Sequence, residues 1–199
     1  MAWAHREMGM EGMVINRVHR DTKESWNREQ LLEFSWERPW HMGNTSCIPG
    51  EAVPQIDEGG ELSLTKAAGR GSERWEGEGM LTHMLAYKLY DIPNTCGPDW
   101  DVCAEFDFER PVAVPVTYKN AGERAAILID QYRRKAEAFQ HNNLLMPLGD
   151  DFKYKNIEIT RKMMSQYQLL FDHINSNKDM KVSIRFATLS GMALLSQRD

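Results

Sequence analysis

The stretch Leu144-Leu145-Met146-Pro147-Leu148-Gly149-Asp150-Asp151-Phe152 is the most informative one in this chain of 199 residues. Five apolar residues are followed by a glycine and then by two adjacent carboxylates. This pattern predicts a buried strand that ends in a turn and presents acids at its carboxyl end. Because α/β folds hold their active sites at that end of the strands, the two acids are candidate catalytic groups.

The segments around this stretch predict alternating helices and strands. Residues 122–140 form an amphipathic pattern with apolar side chains at three- and four-residue intervals and the basic residues 133–135 on the other side. Residues 159–174 repeat that pattern. Strands are predicted at 143–148 and 181–186, so a strand, a helix and a strand follow one another. That order predicts a right-handed crossover and a parallel sheet.

The N-terminal part predicts a strand over 13–18, then a helix to about residue 31, then an alternating, half-exposed strand over 32–36. An apolar run over 80–89 predicts a further strand, after which Pro93 is expected to force the chain out of regular structure. Residues 39–79 are rich in Gly, Pro, Ser, Glu and Lys. We expect them to form a disordered surface insertion.

Composition excludes some functions. The formal net charge is -5 and both signs are mixed along the chain, so the basic stripe that a nucleic-acid binder needs is missing. The sequence contains no apolar window approaching the roughly 18 residues of a membrane helix. The 42% of apolar residues are enough for a core of about one domain.

Polar residues follow three of the predicted strands. They are Arg17, then Tyr90 with Asp91, then Asp150 with Asp151. The carboxyl ends of parallel strands share one rim, so these side chains could face one pocket. Glycoside hydrolysis needs one carboxyl group that protonates the leaving oxygen and a second that acts as nucleophile or positions water. Because neighbouring residues point in different directions, we expect one of the two adjacent acids to be catalytic and the other to bind or orient.

Simpler explanations stay open for each of these residues. The two adjacent acids could form a solvated helix entry with an Asp cap. Tyr90 and Asp91 could be a turn before the proline, and Arg17 could form a surface ion pair. Cys96 and Cys103 could close a small disulfide loop or stay as two thiols, and zinc is the less attractive choice for them. The triplet at 44–46 fits the acceptor pattern for N-glycosylation.

Five stretches occur in an order that indicates a family. They are Met13-Val14-Ile15-Asn16-Arg17-Val18-His19, Leu32-Glu33-Phe34-Ser35-Trp36, Tyr90-Asp91-Ile92-Pro93-Asn94-Thr95-Cys96-Gly97-Pro98-Asp99, Cys103-Ala104-Glu105-Phe106-Asp107-Phe108 and Leu148-Gly149-Asp150-Asp151-Phe152. Together they resemble the catalytic domain of glycoside hydrolase family 38, and the third is similar to its Golgi α-mannosidase II branch. The resemblance implies an α/β fold with a parallel-sheet (β/α)7-barrel-like domain. Residues 1–38 and 80–199 would form its C-terminal half, incomplete.

The resemblance also implies an activity. It is the hydrolysis of terminal α-mannosyl residues in N-glycans, by a retaining, zinc-dependent mechanism in the Golgi or the secretory-pathway lumen. Asp151 aligns with the general acid/base, and Arg17, Tyr90 and Asp150 align with substrate contacts. Asp91 aligns with a neighbouring site residue, and Cys96 and Cys103 align with a disulfide pair.

The zinc ligands and the nucleophile of the family are expected outside these residues. We therefore expect a part of a longer chain that is inactive when isolated. Asn94 stands where the Golgi branch has a histidine, and residues 114–116 replace a tryptophan loop, which puts a requirement for a GlcNAc arm in doubt. The alternative function is a non-catalytic carbohydrate-binding or vestigial interaction protein.

Overall fold

The computed structural model describes residues 12–36, 53–56, 62–65 and 80–188, and it divides into two compact units. The first unit comprises residues 1–84, 138–143 and 189–199, and the second comprises residues 85–137 and 144–188. None of the helices in the described part is long and apolar enough to cross a membrane.

A three-stranded sheet organises the first unit. Its strands are β1 (Gly12–Ile15), β2 (Glu33–Trp36) and β5 (Met80–Met84), and β5 lies in the middle. β1 pairs with β5 in parallel and β2 pairs with it antiparallel, so the sheet is mixed and the prediction of a parallel sheet is wrong here. The alternation of apolar and polar residues along β2 is typical of antiparallel strands that bury one face.

Helix α1 (Arg20–Arg28) connects β1 to β2 and is anchored by one aromatic contact. Trp26 is its buried residue, and the Trp26 ring meets the Phe34 ring edge-on at a centroid distance of 5.2 Å. The predicted strand, helix and strand of residues 13–36 are therefore confirmed.

Two further strands, β3 (Val53–Ile56) and β4 (Leu62–Thr65), pair antiparallel as a separate two-stranded sheet. They fall within residues 39–79, where we expected a disordered insertion. For these eight residues the backbone is paired. The rest of that range lies outside the described residues, so its disorder stays a prediction.

The carboxylate of Glu33, in strand β2 of the three-stranded sheet, lies between two imidazole rings. Glu33 accepts from Nδ1 of His83 and from Nε2 of His141, each at 2.5 Å. Phe139 stacks on the His83 ring at a centroid distance of 5.1 Å. Burial alone would raise the pKa of Glu33, but the hydrogen bonds from His141 and His83 outweigh it and lower the pKa to about 2.

Helices dominate the second unit. They are α2 (Ile92–Thr95), α3 (Trp100–Ala104), α4 (Ala121–Ala136) and α5 (Ile157–Ser176), followed by a 3-10 turn at Lys178–Met180. The long helices α4 and α5 confirm both predicted amphipathic segments. Their buried faces meet in one core together with Phe106 and Phe108, and the Tyr167 hydroxyl donates to the Phe106 carbonyl at 3.1 Å.

The strands predicted at 143–148 and 181–186 do not form, and the predicted crossover is therefore wrong within the described residues. Side chains take the place of a partner strand. Lys135 Nζ donates to the Leu145 carbonyl at 2.8 Å, and Asn175 bonds both the amide and the carbonyl of Ile184 at 2.9 Å. Residues 144–148 are half-buried, not buried. An apolar run becomes a strand only where another backbone satisfies its amides and carbonyls.

Proline also behaves differently from the prediction. Pro93 lies in the first turn of α2, where its missing N–H has no helical partner to lose. Strand β5 ends at Met84, earlier than the apolar run over 80–89 indicated.

The Cys96–Cys103 disulfide is present and joins the end of α2 to α3. It closes a loop in which Gly97 lies against Gln131 of α4, and a Cβ atom at Gly97 would come within 2.5 Å of the Gln131 side chain. This close approach requires glycine.

We predict that replacing Glu33 by Gln makes the first unit less dependent on pH. The folded-state pKa of Glu33 is about 2 and its ordinary value is 4.5, so its stabilisation is complete above about pH 4.5 and is lost as the pH falls towards 2. Urea unfolding should show Glu33→Gln destabilised by on the order of 2 kcal/mol near neutral pH, with the difference vanishing near pH 2. The control is Glu123→Gln at an exposed position. Parallel pH profiles for wild type and Glu33→Gln would contradict the prediction.

We predict that the disulfide contributes about 2.5 kcal/mol to the free energy of unfolding, the value expected for a short loop in the chain-entropy model. Cys96→Ser with Cys103→Ser should lose that amount in urea unfolding. Cys47→Ser, which changes the third cysteine, should lose nothing comparable. A double variant as stable as the wild type would disprove the estimate.

Candidate active site

A single backbone pairing brings the two most informative motifs together. Asp91 and Gly149 form an isolated parallel bridge within the second unit. As a result, the Tyr90 hydroxyl reaches Asp151 and donates a hydrogen bond to its Oδ1. The Thr95 hydroxyl donates to the Asp91 carbonyl at 2.9 Å and supports the same junction. Residues 61 positions apart thus share one site.

The acid loop after Gly149 is shaped by two residues with left-handed backbone. Phe152 has φ 58° and Tyr154 has φ 61°, a region that residues other than glycine rarely occupy. Gly149 has open space around it and is not required by packing. Local bonds fix the loop, because Asp150 Oδ1 accepts from the Asp151 amide at 2.7 Å and the Tyr154 hydroxyl donates to the Leu148 carbonyl.

This loop is not a helix entry. Helix α5 begins at Ile157 and is capped by Asn156, whose side chain accepts from the Ile159 amide at 2.9 Å. The capping explanation for the adjacent acids therefore does not apply to Asp150 and Asp151.

A buried network of ion pairs anchors the acid loop after Gly149. Asp107 is 1% exposed and accepts from Lys153 Nζ at 2.7 Å and from Arg110 Nε at 3.0 Å. Lys153 also pairs with Glu109 at 2.9 Å. Although burial lowers the pKa of Lys153, its bonds to Asp107 and Glu109 raise it overall, so the lysine stays charged near neutral pH. Each charge of the network is paired, as a buried ion requires.

The side chain of Asp91 is turned into this network. It is 5% exposed, accepts from Asn94 Nδ2 at 2.8 and 2.9 Å, and has Arg110 at 3.7 Å. Its carboxylate therefore fixes the start of α2. A direct contact between Asp91 and substrate stays a prediction.

A buried lysine fixes the apolar segment that leads to the acids. Lys135 of α4 is 1% exposed, and its Nζ donates to the Thr95 carbonyl at 2.9 Å and to the Leu145 carbonyl at 2.8 Å. Burial lowers its pKa to about 7. The prediction that Lys135 lies on the outer face of its helix is wrong, because its side chain is buried and binds a carbonyl at the end of α2 and one in the unpaired segment before the acids.

A cavity of about 290 Å³ opens beside the two acids. Its lining combines carboxylates, ammonium groups and apolar side chains: Glu109, Asp150, Asp151, Phe152, Lys153, Lys155 and Ile159. Both hydrogen-bond donors and acceptors thus line the cavity, together with one aromatic ring. Such a lining suits a neutral ligand that carries many hydroxyl groups.

The structure unites most but not all of the predicted site residues. Tyr90, Asp91, Asp150 and Asp151 meet within the second unit. Arg17 is exposed after β1 in the first unit, so its part in the same site stays a prediction.

Sequence reasoning missed Lys135, Asp107 and Lys153. For two of these residues, the sequence pattern could have indicated that they are buried. Lys135 follows Leu128 by seven residues and so falls on the buried face of its helix, and Asp107 interrupts an aromatic run between Phe106 and Phe108. Lys153 carried no such indication, because its partners come from another segment.

Within the described ranges, no three His, Cys, Asp or Glu side chains are placed to hold a metal ion.

Comparison with known proteins identifies the class. Residues 1–192 match the family model "Glycosyl hydrolases family 38 N-terminal domain". The chain therefore belongs to glycosyl hydrolase family 38, and the resemblance to glycosidases is confirmed.

Three proteins that are similar in sequence to this chain are named alpha-mannosidases. The chain is 34% identical to "Alpha-mannosidase 2" of Arabidopsis thaliana over 95% of its own length and 14% of that protein. It is 34% identical to "Alpha-mannosidase 2" of Homo sapiens, over 96% of this chain and 15% of the relative. "Alpha-mannosidase B" of Dictyostelium discoideum is 33% identical over 56% of this chain and 11% of its own length. The chain thus spans about one seventh of the first two relatives.

We predict that Lys135 makes stability rise with pH. Its folded-state pKa of about 7 lies below the ordinary 10.5, so between these values the unfolded state binds one more proton than the folded state. From pH 6 to pH 9 the wild type should gain on the order of 2 kcal/mol in free energy of unfolding relative to Lys135→Met. The matched control is Lys162→Met, an exposed lysine of α5. An equal difference between wild type and Lys135→Met at pH 6 and pH 9 would count against the buried ammonium group.

Proposed function

We propose that the cavity beside Asp151 belongs to a retaining α-mannosidase that removes terminal α-mannosyl residues from N-glycans. The observation that carries this proposal is the Tyr90 hydroxyl bonded to Asp151 at the edge of a cavity with a mixed polar and apolar lining. Family membership and the names of the relatives support it. In the proposed parent domain, these residues belong to a (β/α)7-like barrel, and residues 39–79 form a surface insertion.

Asp151 is assigned the role of general acid and base. As an acid it protonates the oxygen of the leaving sugar, and as a base it then takes a proton from the water that releases the mannosyl group. The Tyr90 hydroxyl donates a hydrogen bond to this carboxylate and so orients it between the two proton transfers. The nucleophile that such a mechanism requires is assigned to a carboxylate other than these two acids.

Asp150 and Arg17 are assigned to substrate binding. The Asp150 carboxylate lines the cavity and can accept hydrogen bonds from sugar hydroxyls. Arg17 would supply a cation and donors for the same sugar. Zinc is the proposed cofactor, and its ligands are proposed to lie outside the described residues.

The proposed location is the Golgi or the secretory-pathway lumen. The Cys96–Cys103 disulfide supports it, because disulfides persist in oxidising compartments. The proposed partner is a mannose-containing N-glycan.

A purely carbohydrate-binding function is the second candidate. It is favoured by the cavity, whose hydroxyl-binding groups and aromatic ring could hold a sugar without any chemistry. The two candidates differ in one respect: only the enzyme requires a titrating carboxyl at position 151.

We predict a selective loss of activity in Asp151→Asn, measured in the natural polypeptide at its full length with zinc supplied. Turnover of an aryl α-mannoside with a poor leaving group should fall by about 10² to 10⁴. A substrate with an activated leaving group, which needs no proton donor, should keep much of its rate of bond cleavage. Azide should restore the second step by replacing the activated water.

The matched variant is Asp150→Asn, which should raise KM without rescue by azide. Equal loss on both leaving groups, or no loss at all, would remove Asp151 from the acid/base role. Binding of mannosides with no turnover in the wild-type polypeptide would favour the carbohydrate-binding function instead.

A further inference from the structure

The ring of Phe152 is exposed beside the candidate acid. Phe152 is 83% exposed, although it lines the same cavity as Asp150 and Asp151. Tyr118 is the comparable exposed ring in the second unit, at 91%, and it does not line that cavity. Among the described residues, Phe152 is thus an exposed aromatic side chain next to the candidate acid.

The backbone of Phe152, whose ring is exposed, has an energetically unfavourable conformation. Phe152 has φ 58°, a left-handed conformation that disfavours any side chain with a Cβ atom. The two residues that follow Phe152 are held in place, because Lys153 is bound by Asp107 and Glu109 and the Tyr154 hydroxyl is bound to the Leu148 carbonyl. These bonds fix the backbone on the carboxyl side of Phe152.

The chemistry around the ring indicates the kind of ligand. Lys155 provides donors, Glu109 and Asp150 provide acceptors, and Ile159 extends the apolar surface. Because both signs of charge are present, neither an anion nor a cation is favoured. A pyranose ring fits, since it has hydroxyls around its edge and an apolar face of C–H groups that can lie on an aromatic ring.

We propose that Phe152 is a stacking platform for a pyranose ring adjoining the bond that Asp151 would protonate. This inference rests on the proposed function and names the surface that orients the glycan. Phe152 follows Asp151 directly in the chain and shares its cavity, so a sugar that lies on the ring is within reach of that carboxylate. The role of Phe152 is to bind and position, and it takes no part in proton transfer.

The test is a titration of the natural polypeptide at its full length with methyl α-D-mannopyranoside and with an S-linked α-mannobiose that is not cleaved, followed by isothermal titration calorimetry. Phe152→Ala should weaken binding of the mannobiose by roughly fivefold or more, and Phe152→Tyr should keep it within about twofold. Phe152→Gly should weaken binding as strongly as Ala. Its melting temperature should equal or exceed that of the wild type, because glycine fits the left-handed backbone.

Tyr118→Ala is the matched control, since it removes an exposed ring outside the cavity and should leave binding unchanged. Binding by Phe152→Ala at wild-type affinity overturns the stacking role while leaving the proposed function intact. Failure of the wild type and the Tyr118 variant to bind either sugar overturns both. Light scattering provides a further check: self-association of the wild type that is lost in Phe152→Ala would show that the ring is a protein contact and overturn the proposal.

Discussion

The candidate site depends on the hydrogen bonds made by the buried side chain of Lys135. This side chain binds carbonyls of the two segments that carry the site, Thr95 in α2 and Leu145 before the acids. An amphipathic helix usually buries only apolar residues, and a buried lysine costs free energy unless its donors find acceptors. Here the acceptors are the carbonyl of the last residue of α2 and a carbonyl of the unpaired segment before the acids, so each side of the contact satisfies what the other lacks.

Buried charged groups next to the acid loop are also paired, each with a group of opposite charge. Asp107 is buried, yet it binds two cations, and one of them is two residues from Asp151 in the chain. The network fixes Lys153, the loop fixes Asp150 and Asp151, and the bridge at Gly149 fixes Tyr90 beside them. Rigid support of this kind is what acid/base chemistry requires, because proton transfer depends on distances of hydrogen-bond length.

Helices were easier to predict than strands, and the reason is physical. Helices α4 and α5 satisfy their backbone internally, so local periodicity locates them. The apolar segments at 143–148 and 181–186 are extended but unpaired among the described residues, since no local pattern can supply a partner backbone. The Cys96–Cys103 pair was foreseen as one of several possibilities, and short separation made it feasible.

The sequence by itself determined the family, the helices α1, α4 and α5, the strands of the three-stranded sheet and the identity of the polar residues near the site. Motif order carried that information, because Tyr90, Asp91, Asp150 and Asp151 occur in recognisable surroundings. Only the tertiary structure decided that the Tyr90 hydroxyl bonds Asp151, that Asp91 turns into an ion network, and that Lys135 is buried. The bond from Tyr90 to Asp151 spans 61 positions and the bond from Lys135 to Thr95 spans 40, so the partners of these groups follow from the packing of distant segments and not from a local pattern.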